Sequence, residues 1–85
     1  MQNKVFAIRD TKAEAFHQPF FTKTVSEAER SFHQLVNDPQ SLVAKYPEDY
    51  DLYMIGSYDT NTGGLTTLDT PQHIAKAISL KTLQS

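Results

Sequence analysis

Hydrophobic positions fall into patterned stretches separated by short polar turns. Val5, Phe6, Ala7 and Ile8 form an apolar run within residues 4–10, and their aromatic and β-branched content favours a strand. Residues 13–19 carry no clear period, and Pro19 biases Gln18 towards extended backbone. Residues 20–25 alternate, with Phe21, Lys23 and Val25 on one side and Phe20, Thr22 and Thr24 on the other. This predicts a second strand, antiparallel to the first. Ala28, Phe32, Leu35 and Val36 then recur at helical spacing. Thr24 with Glu27, and Ser26 with Glu29, both fit a capping box. Asn37-Asp38-Pro39 ends that helix, because a residue before proline avoids helical geometry.

Leu42 and Val43 suggest one short turn beneath the helix, and Pro47-Glu48-Asp49 leads into a strand over residues 50–59. Strict alternation there puts Leu52, Met54, Gly56 and Tyr58 on one face and Tyr53, Ile55 and Ser57 on the other. Apolar bulk on both faces predicts a central strand, and Gly56 signals a bulge or a close neighbour. Asp59-Thr60-Asn61-Thr62-Gly63-Gly64 reads as a hairpin loop, because Asn and Gly supply positive-φ positions. Residues 65–68 form a short return strand. Thr70-Pro71 resembles an N-cap followed by a first helical residue, so Ile74, Ala75, Ala77 and Ile78 predict a weak terminal helix that frays from about residue 80. The expected fold class is α+β: an antiparallel-rich sheet of about four short strands with one main helix, ordered β-β-α-β-β, plus a short C-terminal helix.

Residues 1–85 are expected to make one domain, a size that buries roughly 60–65% of its unfolded surface. Nine aromatics and a hydrophobic fraction of 39% suffice for a core and exceed what a disordered chain carries. Cysteine is absent, which excludes disulfides, a thiolate nucleophile and Cys-ligated zinc. Neither a signal peptide nor a membrane span is expected. The formal net charge is −2, unevenly spread. Residues 1–30 set Lys4, Arg9, Lys12, Lys23 and Arg30 against four acids, whereas residues 31–85 set three lysines against six acids. The chain therefore lacks the basic excess of a strong nonspecific nucleic-acid binder.

Little in the chain reads as catalysis. Asp59-x-Asn61-x-Gly63 opens like a calcium loop, but Thr70 stands where a bidentate Glu belongs, so a plain hairpin turn is expected. His17, His33 and His73 have no metal-ligand spacing, and Glu48, Asp49 and Asp51 flank a proline turn. No nucleophile elbow or phosphate loop occurs, so no enzyme activity and no cofactor or metal are expected. Two sets of residues carry binding chemistry. Arg9, Lys12, Phe16, Phe20, Phe21 and Lys23 interleave rings with cations, as single-strand platforms do, and Tyr50, Tyr53 and Tyr58 punctuate one strand.

Asp10-x-Lys12-Ala13-x-Ala15-Phe16, Pro19-Phe20, Ala28-x-Arg30-x-Phe32, Val36-Asn37-Asp38-Pro39, Pro47-Glu48-Asp49-Tyr50-x-Leu52-Tyr53 and Gly56-Ser57-Tyr58-Asp59-x-x-Thr62-Gly63 occur in this order. This series resembles the small nonstructural protein of gokushovirus-type microviruses, which are tailless phages with circular single-stranded DNA genomes. The likeness spans roughly residues 5–68. It implies a DNA-binding protein that acts in genome replication, at the switch to single-strand synthesis that feeds packaging. It also implies residence in the host cell cytoplasm rather than in the virion. On that reading Lys4, Arg9, Lys12, Lys23 and Arg30 contact phosphates, while Phe16, Phe20 and Tyr53 stack on bases. The rival reading is a homo-oligomeric interaction module that regulates a viral or host replication protein.

Overall fold

The computed structural model describes residues 2–81. A mixed α+β fold results, with five strands in one antiparallel sheet, one main helix and short helical turns. Strands β1 (Gln2–Asp10) and β4 (Tyr50–Asp59) lie at the centre. Strands β2 (Ala15–Phe16) and β3 (Phe20–Thr22) share the outer side of β1, and β5 (Leu65–Lys76) forms the other edge. The ambiguous stretch after β1 is therefore a fifth strand entered through a turn, where Glu14 takes a positive φ of 55°.

Helix α1 (Val25–Val36) starts where its capping box predicts. The Thr24 hydroxyl accepts from the Glu27 N–H at 3.1 Å, and the Glu27 carboxylate accepts from the Thr24 N–H at 3.2 Å. Val25 belongs to this helix rather than to β3, because the cap ends the extended segment at Thr24. Ala28, Phe32 and Val36 are buried against the sheet, whereas Leu35 sits at the rim, 36% exposed. A short α2 (Leu42–Lys45) and a 3-10 turn over Pro47–Asp49 bring the chain into β4.

All helices lie on one side of the sheet. Phe6 and Ile8 from β1, Tyr50 and Leu52 from β4, Ala28, Phe32 and Val36 from α1, and Val43 from α2 share one core with Ala77. Phe6, Phe32, Val36 and Leu52 are essentially inaccessible, and each contributes about 1.5–3 kcal/mol by leaving water.

Two departures from strict alternation decide what the other side of the sheet displays. Val5 pairs with Gly56 but Phe6 pairs with Met54, so Ile55 is an extra residue in β4. This bulge moves Gly56 and Tyr58 off the core face and onto the face of Tyr53, correcting the alternation read from sequence. Gly56 meets both expectations placed on it. A Cβ there would lie 2.3 Å from the Thr66 carbonyl oxygen, so only glycine lets β5 approach.

The second departure is in β5, which runs to Lys76, well past the expected return strand. Gly56 pairs with Thr67 and Met54 with Gln72, so residues 68–71, Pro71 included, bulge out of the ladder. A proline is tolerated there because β5 is an edge strand and its missing N–H faces no partner. The terminal helix predicted from Thr70-Pro71 is thereby reduced to α3 (Ala77–Leu80). The tail expected to fray from about residue 80 lies mostly outside the described residues. The Lys81 ammonium donates to the Val36 and Ala44 carbonyls at 3.3 and 3.1 Å, and residues 82–85 lie outside the described region.

Candidate functional site

With the helices on one side, residues of alternate parity form an open face. The strand register arranges it in rows. Phe16, Arg9, Asp51 and Lys76 stand side by side across β2, β1, β4 and β5. Ala7, Tyr53 and His73 form the next row, and Phe21, Val5, Gly56 and Thr67 the third. Asn3, Tyr58 and Leu65 complete it.

The rings touch one another. Phe16 meets Tyr53 edge-on at 5.5 Å between centroids, and Tyr53 meets His73 edge-on at 5.3 Å. Such T-shaped pairs are favourable because the positive edge of one ring meets the negative face of the other. The Arg9 guanidinium lies over Phe16, 5.4 Å from the ring centre, an attractive cation–π placement. Phe21 and Tyr58 form a second edge-on pair at 5.5 Å. Phe16 and Phe21 remain 41% and 47% exposed, so their outer faces are available. Beneath them Val5 and Ala7 are buried although, among the described residues, no helix covers this side.

Asp51 is the one buried charged residue among those described. The His73 ring nitrogen Nε2 donates to Asp51 Oδ1 at 3.0 Å, and the Lys76 ammonium stands 3.7 Å from the same oxygen. One acid thus balances part of the positive charge of Arg9, Lys76 and, when protonated, His73.

The residues singled out from sequence divide between two sides. Arg9, Phe16 and Tyr53 come together on the open face. Phe20 points the other way and stacks on Phe6 of the core at 5.8 Å. Lys4 shares the parity of Phe6 and so lies on the covered side, at the end of β1. Lys12 is exposed in the turn after β1, beside an open crevice of about 580 Å³ lined also by Asp10, Glu48 and Asp49. Lys23 is exposed just before α1, where its backbone N–H donates to Glu27. Arg30 is exposed on the side of α1 opposite Ala28 and Phe32. Of the tyrosine set, Tyr50 belongs to the core. Its burial, then the neighbouring Asp10 carboxylate, raises its phenol above the ordinary value.

Asp51, His73 and Lys76 were absent from the sequence-based site. His73 and Lys76 were hidden because residues after Pro71 read as a helix, where the two would not share a face with Tyr53. Their three-residue spacing would put them on opposite faces of a regular strand, and only the bulge at Ile74, between His73 and Ala75, brings both onto the open face.

Among the described residues no helix is long and apolar enough to cross a membrane, and no group of three or more metal-binding side chains converges. No curated protein and no solved structure matches the chain. Residues 3–80 match the family described as Phage ORF5 protein, and, matched over nearly its whole length, the chain belongs to that bacteriophage family.

Proposed function

We propose that this phage protein is a non-enzymatic binder of single-stranded DNA that works in genome replication or packaging of a microvirus, in the host cytoplasm and outside the virion. The observation that carries the reading is the open face, with Phe16, Tyr53 and His73 in edge-on contact and Arg9 over Phe16. Unpaired bases stack on such rings regardless of sequence, and nearby cations hold the backbone. Arg9 and Lys76 are the phosphate ligands on this face. Two cations imply weak, salt-sensitive binding, in keeping with the net charge of −2.

The test is a salt titration of a labelled single strand. Binding at low salt with a log–log slope of about −1 to −2 supports the reading, since each phosphate neutralised on a single strand contributes about −0.7. Absence of binding at low salt overturns it.

A second reading, a homo-oligomeric module contacting a replication protein, is favoured by the free edge of β5, where Leu65 and Leu68 are 61% and 37% exposed. Unprotected edges invite strand addition. Light scattering separates the two: a strict monomer that binds single strands supports the first.

A further inference from the structure

Asp51 sits awkwardly on a face that attracts an anionic polymer. Burying a carboxylate is costly, and replacing a buried ion pair by apolar residues is often neutral or stabilising, so stability alone does not explain it. An acid between Arg9 and Lys76 also weakens the attraction of phosphate.

Its geometry offers a different role. Both of its contacts, from His73 and Lys76, fall on Oδ1. About 10% of the Asp51 side chain stays exposed, and with both contacts on Oδ1 and no buried oxygen left unpartnered among the described residues, that exposure includes Oδ2. Asp51 lies two residues before Tyr53 on the same strand face, about 7 Å along the strand, comparable with the width of a base. A base stacked against Phe16 or Tyr53 thus presents its edge to a fixed acceptor.

Resting on the single-strand reading above, we infer that Asp51 Oδ2 selects bases carrying an exocyclic amino group and rejects thymine. An ionised carboxylate only accepts hydrogen bonds. Cytosine N4 donates to it, as in acid–cytosine contacts in duplex readout. Thymine offers a carbonyl oxygen at that position, and its N3–H is flanked by two carbonyls that repel the carboxylate. The His73 and Lys76 contacts on Oδ1 orient the Asp51 carboxylate, while Arg9 takes the adjacent phosphate.

The experiment compares oligomers of about twelve nucleotides of deoxycytidine and deoxythymidine by fluorescence anisotropy, at neutral pH and one low salt concentration. The two bases have the same ring size, so stacking is matched. Deoxycytidine should bind about tenfold tighter. A strand of 2-pyrimidinone deoxynucleosides, which lack only the 4-amino group, should lose that advantage. Asp51→Asn, whose amide both donates and accepts, should bring the ratio close to one. The pyrimidinone strand tests the same contact from the ligand side, whether or not that variant folds. Equal affinity for cytosine and thymine strands, or a preference that survives loss of the amino group, overturns the inference and leaves single-strand binding standing. Failure of every strand to bind at low salt overturns both.

Discussion

The two faces of the sheet are built by the same strands from alternate residues, and they have opposite fates. On the covered face Phe6 and Leu52 are fully inaccessible beneath α1, and the rings there pack among aliphatic side chains as well as on one another. On the open face Phe16 and Phe21 stay 41% and 47% exposed, and the rings pack mainly on one another. One face holds the fold together. The other spends large apolar side chains without removing them fully from water, and it interleaves them with Arg9, Asp51, His73 and Lys76. Exposed aromatics rimmed by charge mark interaction surfaces rather than cores.

The contrast can be broken experimentally, and the largest effect belongs to the covered face. Phe6→Ala should cost about 3–5 kcal/mol in urea unfolding, with loss of both transfer energy and packing. A loss below about 1 kcal/mol would mean that the covered face is not the main core. Gly56→Ala, where the two central elements meet the edge, should cost about 1–3 kcal/mol, because the added Cβ faces the Thr66 backbone 2.3 Å away. Its circular dichroism melt should shift downwards without loss of the α1 signal.

Tyr53→Ala sharpens the comparison from the other side. It should weaken single-strand binding about tenfold or more, in line with about 1–3 kcal/mol per stacked base. Its effect on unfolding should be smaller than that of Phe6→Ala. A variant that loses stability as severely, with binding unchanged, would make the open face structural. Thr24→Ala, remote from the open face, should lower stability by about 1 kcal/mol through the lost cap and leave binding untouched.

The smallest expected effect concerns alkali. Burial and the Asp10 carboxylate raise the Tyr50 phenol above its ordinary value of 10.0, so the folded state prefers the neutral form. The resulting stability is fully present below about 10 and declines as pH rises through the folded value. Tyr50→Phe should flatten that alkaline decline in unfolding midpoints measured against pH.

Much of the architecture was legible from short-range patterns. The capping box at Thr24 and Glu27, the proline stop after Asn37, and the hairpin at Asp59–Gly64, closed by a 2.9 Å bond from the Asp59 N–H to the Gly64 carbonyl, each involve residues a few positions apart. The site was legible only in part. Arg9, Phe16 and Tyr53 carry chemistry that composition makes visible. Their union, and the addition of His73 and Lys76, depends on pairings between strands distant in sequence.

By itself the sequence determined the α+β class, the cap and the end of α1, the span of β4 and the signal at Gly56 of a bulge or close neighbour, because helix caps, turn residues and periodicity act locally. Tertiary structure alone decided three things: the bulge at Ile55 that turns Tyr58 to the open face, the edge position that lets β5 carry Pro71, and the parity that sends Phe20 inward and leaves Phe16 outside. Each is a question of register, and register is set by which strand lies alongside rather than by the residues of the strand itself.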